Sequence, residues 1–300
     1  MNRRLFIRRL SLLMALGFIE PNFLKAGKSK ARGFRFGLLT DTHYADREAV
    51  GNRCYRASLQ RMEDFVQSMN QEEVNFVMHL GDFKDEAPEP TVASTLNYLR
   101  TLEAAYGKFH GPRYHAVGNH DVDSISKAQF LAAVENTGIP KYKSYYSFDS
   151  GGWHFIVLDG NYDREGKDHH KGDFDWQDVN LPAPEFVWLM NDLKENHLPT
   201  IIFSHHLLHE VQHQYQYHLN NAAEVRHLLE KFGNVKAVFQ GHLHQNVYQQ
   251  INGIHYLTLP GMVDECGKEK TSYALVELTD DKIVIEGVGH QQARVLDIGI

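Results

Sequence analysis

The chain has 300 residues, 42% of them apolar and 23% charged, with a formal net charge of −7. That is enough apolar material for the full core of one large α/β domain or two small ones, and it excludes disorder as the expectation. The acidic balance argues against a general nucleic-acid surface, because binding to phosphate backbones is driven by Lys and Arg.

The N-terminus is basic (Arg3, Arg4, Arg8, Arg9) and then apolar from Leu10 to Ile19, the order of an export signal. The apolar run is too short for a stable membrane span, which needs about 20 residues. Arg3-Arg4-Leu5-Phe6-Ile7 resembles the twin-arginine signal, a route that carries folded proteins. Residues 1–31 are therefore expected to be an export signal and linker, with cleavage near Ala26 or Ala31 and a periplasmic destination. Residues 32–300 are expected to be a single domain. Cys54 and Cys266 are the two cysteines, and with so few the expectation is a pair of free thiols.

In chain order, Phe34 to Thr40 reads as a buried strand ending at Asp41, and residues 53–69 as a helix from the spacing of Leu59, Met62, Phe65 and Val66. Asn75 to Leu80 is a second strand ending at Gly81-Asp82. Thr91 to Ala105 is a helix, and Arg113 to Val117 is a third strand ending at Gly118-Asn119-His120-Asp121. Such alternation implies parallel βαβ units, which place their chemistry at the carboxyl ends of strands. Tyr145 to Phe148 and Trp153 to Leu158 then read as a hairpin, and Pro184 opens a helix to about Glu195. Thr200 to Phe203 is a strand into His205, residues 221–232 a helix, and Val235 to Gln240 a strand into Gly241-His242. Short strands follow near 246–251, 254–259, 272–278 and 282–288. Residues 160–183, rich in Asp and His, are too long for an ordinary connection and are either functional or disordered. In the His-rich stretch 205–218, only His205 has the context of a ligand. His206, His209, His213 and His218 are expected on a solvated face.

The strand ends carry metal-type ligands: Asp41 and Asp82 as carboxylates, Asn119 as an amide oxygen, and His43, His205, His242 and His244 as imidazoles. This mixture suits two divalent cations about 3.5–4 Å apart, which neutralise phosphoryl oxygens and generate a nucleophile at neutral pH. Asp41 and His43, at i and i+2, can grip one ion. His120, next to Asn119, projects toward substrate and can protonate a leaving group.

Asp41-x-His43, Gly81-Asp82, Gly118-Asn119-His120-Asp121, His205 and Gly241-His242-x-His244 together resemble the calcineurin-like metallophosphoesterase superfamily over residues 34–290. The resemblance implies an α/β fold, a four-layer α-β-β-α sandwich of two mixed sheets flanked by helices. It implies Asp41, His43, Asp82 and His244 on one metal, and Asp82, Asn119, His205 and His242 on the other. Asp82 would bridge them with a water or hydroxide that attacks phosphorus, His120 would be the acid, and Asp121 would orient His120. Asp85 stands where purple acid phosphatases place a Tyr ligand, and Gly81-Asp82-Phe83-Lys84-Asp85 is similar to the class III cyclic-nucleotide phosphodiesterases. Phe36-Gly37, Tyr44-Ala45-Asp46, Tyr55-Arg56-Ala57-Ser58-Leu59 and Tyr145-Tyr146-Ser147-Phe148 are similar to manganese-dependent ADP-ribose/CDP-alcohol diphosphatases, which often have Gln at the position of His43.

The expected function is a two-metal hydrolase of small nucleotide-type phosphodiesters or pyrophosphates, using Mn, Fe, Zn or Co. A phosphomonoesterase with the same centre is the alternative, and a non-catalytic binding module is disfavoured because every site position is filled. No nucleic-acid polymer is expected as partner, since no basic run flanks the centre and the 160–183 insertion is acidic.

Overall fold

The computed structural model describes residues 33–267 and 271–299; the expected export segment lies outside them. β1 (Phe34–Leu39) is apolar on both faces because both are covered. Phe36 and Leu38 enter one core with Phe155, Phe203 and Phe239, while Leu39 enters another with Met62, Phe65 and Leu99. Two-residue periodicity sends alternate side chains to opposite sides. A Cβ at Gly37 would lie 2.4 Å from Met69 Sδ, so this glycine lets a helix seat directly on the strand.

That helix is α1 (Ala57–Gln71), followed by β2 (Phe76–His79), α2 (Val92–Tyr106), β3 (Arg113–His115) and α3 (Lys127–Ala133). The hairpin β4 (Tyr146–Ser150) and β5 (Trp153–Val157) leads to α4 (Ala183–Glu195), β6 (Thr200–Ser204), α5 (Ala222–Phe232) and β7 (Val235–Gln240). The chain closes with β8 (Val247–Ile251), β9 (Ile254–Thr258), β10 (Ser272–Leu278), β11 (Lys282–Gly289) and β12 (Arg294–Asp297).

These strands form two six-stranded sheets, ordered β12-β11-β10-β1-β2-β3 and β4-β5-β6-β7-β9-β8. Both are mixed: β1, β2 and β3 are parallel while β10 to β12 are antiparallel, and β5, β6, β7 and β9 are parallel between antiparallel edges. Aromatic rings fill the space between the sheets, with Phe36 and Phe76 stacked at 4.8 Å and Phe155 edge-on to Phe36 at 5.9 Å. On the outer faces, α1, α2 and α3 cover the first sheet and α4 and α5 the second. The four-layer α-β-β-α sandwich is thus the observed fold.

Two elements escape the sequence reading. α3 is only seven residues long, too short for periodicity, and is started by a capping box between Ser126 and Gln129. β12 is an edge strand with Val295 exposed, so it lacks the buried alternation that marks its neighbours.

Residues 160–183 follow a defined path. Gly172 N donates to Val122 O, and Asn180 N to Gly160 O. Lys127 Nζ ties the segment to the core, lying 2.7 Å from Asp159 Oδ2, 2.6 Å from Asp168 Oδ1 and 3.1 Å from Asn161 O. Cys54 and Cys266 are joined in a disulfide, which corrects the expectation of free thiols. Their loops meet because Cys54 N donates to Val263 O at 2.9 Å and Val263 N to Asp41 O at 3.0 Å.

Candidate metal centre

Each candidate ligand leaves the carboxyl end of a strand: Asp41 and His43 after β1, Asp82 after β2, Asn119 after β3, His205 after β6, and His242 and His244 after β7. The two sheets therefore supply opposite walls of one site. Sharp backbone turns aim these side chains inward. Asp41, His43, Asp82, His242 and His244 all have left-handed φ, at 53°, 42°, 55°, 69° and 58°. L-residues seldom adopt this conformation, and such strain persists where surrounding structure imposes it. Here it is imposed by hydrogen bonds from Asp41 N to Gly81 O (3.1 Å) and from His43 N to Asp82 O (2.9 Å). Gly118 is required by close approach, since a Cβ there would sit 2.2 Å from Asp82 Oδ1.

The side chains converge in two groups that share Asp82. In the first, His244 Nε2 lies 3.1 Å from Asp41 Oδ1 and 3.2 Å from His43 Nε2, which is 3.4 Å from Asp82 Oδ2. In the second, His205 Nε2 is 3.3 Å from that same Oδ2, 3.2 Å from Asn119 Oδ1 and 3.2 Å from His242 Nδ1. Metal–ligand bonds of about 2.0–2.2 Å put neighbouring ligand atoms at about this separation. Asp41 Oδ1 and His242 Nε2 are buried without a hydrogen bond of good geometry. The donors are carboxylate, amide oxygen and imidazole, with no thiolate, and they fit two divalent cations of intermediate softness.

The electrostatics agree. Burial alone would raise the Asp41 and Asp82 carboxyls, but the imidazoles facing them hold both well below the usual carboxylate range. Burial opposes charge on His205 and His244, yet Asp82 pushes His205 up to about 9 and Asp41 pushes His244 up to about 10. These carboxylates attract positive charge strongly, and a divalent cation supplies it directly.

In three of the four ligand imidazoles the nitrogen that faces away from the centre is also held. His43 Nδ1 is 3.1 Å from Asp85 Oδ2, His205 Nδ1 is 3.0 Å from Leu80 O, and His244 Nδ1 is 2.8 Å from Asp264 Oδ2. Such partners fix ring orientation and raise ligand basicity. Asp264 was not anticipated, because it lies beyond β9 with no local motif around it.

His120 stands beside the ligands, its ring edge-on to His43 at 4.6 Å. Its Nδ1 faces Asp123 Oδ2 at 3.4 Å and Asp85 Oδ2 at 3.6 Å. Burial works against the imidazolium, but Asp82, Asp123 and Asp85 raise its pKa, which favours the protonated form a general acid needs. The orienting role expected of Asp121 is corrected. Its carboxylate accepts from Asp82 N (2.9 Å), Phe83 N (2.9 Å) and Gly118 N (2.8 Å), clamping the β2 and β3 loops together. Asp121 points back into the turn that bears it, and Asp123, one helical step on, meets the imidazole.

A cleft of about 390 Å³ opens over the centre, lined by Asp82, Asn119, His120 and His242 together with Phe174, Trp176 and Tyr217. The Asp and His side chains that dominate the 160–183 insertion do not line this cleft; its Phe174 and Trp176 do. Asp168 turns to Lys127 and Asp178 to Arg164, while buried His169 stacks on Phe174. Trp176 and Tyr217 lie edge-on to His242 at 5.7 and 5.0 Å. The solvated face expected for the other histidines holds for His213, which is exposed, and is corrected for the rest. His206 and His209 are fully buried and His218 nearly so, because the loop folds back through Leu207 N to Tyr217 O and Leu219 N to Leu207 O. A larger cleft of about 840 Å³, lined by Lys194, His197, Lys231 and Lys236, includes no residue of the metal centre.

The chain belongs to the calcineurin-like phosphoesterase family, whose model matches residues 34–246. It is a metal-dependent phosphoester hydrolase of the two-metal kind. It is 25% identical to a manganese-dependent ADP-ribose/CDP-alcohol diphosphatase of Arabidopsis thaliana, over 87% of this chain and 96% of that one. It is also 25% identical to a 3′,5′-cyclic-nucleotide phosphodiesterase of Nostoc, over 74% and 73%. Among solved structures, a dimetal phosphatase from Danio rerio superposes with a TM-score of 0.78, covering 89% of this chain and all of that one at 22% identity.

Proposed function

We propose that this chain hydrolyses phosphodiester or pyrophosphate bonds in small nucleotide-type substrates. The observation that carries the reading is the cleft: ligands of the two-metal set and three aromatic side chains line one space of about 390 Å³, room for a small ester with one flat group. The substrates in the names of the Arabidopsis and Nostoc relatives are of this size and kind.

In this reading Asp41, His43, Asp82 and His244 hold one divalent ion, and Asp82, Asn119, His205 and His242 the other. Manganese, iron, zinc and cobalt all suit these donors. The ions supply charge neutralisation and an activated water at neutral pH. His120, held by Asp123 and Asp85, gives its proton to the departing oxygen. Asp121 keeps the turns of Asp82 and Asn119 in register. Phe174, Trp176 and Tyr217 exclude water and stack on the flat part of the substrate.

We further propose that the protein is exported to the periplasm through the twin-arginine-like segment Arg3 to Ile19. The Cys54–Cys266 bond supports this, since disulfides persist in oxidising compartments. Among the described residues no helix is long and apolar enough to cross a membrane.

The test is a comparison of bis-p-nitrophenyl phosphate with p-nitrophenyl phosphate after reconstitution with each metal. A higher kcat/KM for the diester is expected. Strong preference for the monoester would replace this reading with a phosphomonoesterase.

A further inference from the structure

The cleft contains one cation with nothing assigned to it. Arg53 is the single Lys or Arg among the described residues that line it, on the wall near His120. Its side chain is 33% exposed and makes no hydrogen bond among the described residues; its one charged neighbour, Asp85 Oδ2, lies 3.8 Å from Nη1. Asp85 does not depend on it. That carboxylate already faces His43 at 3.1 Å, His120 at 3.6 Å and Arg47 at 3.9 Å. Arg47 in turn is engaged, donating to Glu86 O at 3.2 Å and lying over the Tyr55 ring at 4.7 Å. Arg53 thus keeps its guanidinium donors free beside the reacting centre.

Its position is fixed by the backbone. Arg53 exchanges hydrogen bonds with Val50 at 3.1 and 3.2 Å, and pairs with Asp264, the residue that orients His244. The next residue, Cys54, is bonded covalently to Cys266. The segment bearing Arg53 is thereby stapled to the loop that supports the metal centre. A guanidinium is a planar fork of donors that matches phosphate oxygens, and placing one in an aqueous cleft with its donors not hydrogen-bonded leaves it available to an anion.

We propose that Arg53 recognises the phosphate adjacent to the one being cleaved, so that the cleft selects diphosphate-linked substrates over simple phosphodiesters. The inference rests on the phosphodiesterase or pyrophosphatase reading above. His120 and Arg53 line the same cleft and lie 3.6 and 3.8 Å from one oxygen, Asp85 Oδ2, so the phosphate next to one whose leaving oxygen meets His120 is within reach of Arg53. One phosphate then lies on the metal ligands and the next on the guanidinium.

The experiment uses the full-length, metal-reconstituted protein and its Arg53→Ala and Arg53→Lys variants, with ADP-glucose and bis-p-nitrophenyl phosphate as substrates. Arg53→Ala should lower kcat/KM for ADP-glucose about 10–100-fold, mainly through KM, and that for the diester by a smaller factor. Arg53→Lys should recover part of the loss, because it restores charge but not the fork. Metal content and Tm are read alongside. Equal losses on both substrates with reduced metal content would mean that Arg53 acts only as a counter-charge for Asp85, and would overturn the proposal. A wild-type protein that cleaves neither substrate sinks the parent reading but not the arginine's role. Binding of inorganic pyrophosphate against inorganic phosphate then decides it: the wild type should prefer pyrophosphate, and a preference unchanged in Arg53→Ala rejects the assignment.

Discussion

Asp264 Oδ2 accepts a hydrogen bond from His244 Nδ1 at 2.8 Å, although 20 residues of chain separate them. The contact leaves Nε2 as the lone-pair nitrogen and turns it toward Asp41. Such partners are worth about 10–100-fold in metal affinity. Asp264→Ala should lose one metal equivalent on dialysis that the wild type retains, as read by elemental analysis. Full retention at low free metal would show that Asp264 is dispensable.

Asp82 lies in both ligand groups, with Oδ2 at 3.4 Å from His43 and 3.3 Å from His205. Asp82→Asn should abolish turnover and reduce bound metal from both sites together. Normal turnover in metal-replete variant protein would exclude a bridging role.

His120, Asp121 and Asp123, at the third strand end, separate by function. His120→Ala should keep both metals and slow turnover about 10²–10⁴-fold, with a smaller loss for good leaving groups such as p-nitrophenolate. Asp123→Asn should do the same to a lesser degree, since it touches the imidazole. Asp121→Asn should instead lower Tm and metal content, because an NH2 donor replaces one of the two oxygens that accept from three buried backbone N–H groups. A purely kinetic defect in Asp121→Asn would restore it as the partner of His120.

Trp176 tests the insertion. Trp176→Ala should raise KM for nucleotide esters about tenfold while leaving metal content intact, as expected when a stacking surface is lost. Replacing residues 162–180 by a Gly-Ser linker should likewise change discrimination among nucleotide substrates. An unchanged substrate ranking in both variants would make the insertion a mere cover.

A pH effect should arise far from the metals. His154 is buried between Asp149 (2.6 Å) and Asp192 (3.3 Å). Burial disfavours its charge, but the two carboxylates raise its pKa above the ordinary value. The stabilisation is therefore complete below about pH 6.5 and is lost as pH rises through the higher folded-state value. Denaturant titrations should find His154→Gln most destabilised near pH 5.5, with the gap to wild type narrowing toward pH 8.5. A gap that widens with pH would reverse the assignment.

The legible part of this molecule is local in sequence. Asp41, His43, Asp82, Asn119, His205, His242 and His244 each follow an apolar strand within a few residues, and the fold brings them together as the strand order requires. The missed parts depend on contacts between distant segments. Cys54 and Cys266 are 212 residues apart, and their pairing follows from how the loop after β9 crosses the loop after β1. The burial of His206 and His209 had a clue in the continuing apolar pair Leu207-Leu208, both fully buried. The aromatic lining was overlooked because Phe174 and Trp176 sit among acidic residues whose charges dominate the composition of the insertion.

The left-handed backbone at five ligand positions also limits how this centre can be altered. Each of those residues must supply a donor atom and tolerate a conformation that most side chains resist. Asn satisfies the second demand nearly as well as Asp, so Asn at 41 or 82 removes charge while keeping the turn intact. Alanine there changes chemistry and conformational preference at once, and its effects on folding and on metal binding arrive mixed. Histidine positions 43, 242 and 244 have no such stand-in, because no other imidazole-bearing residue exists. The carboxylate sites can be dissected one property at a time; the imidazole sites can only be kept or lost.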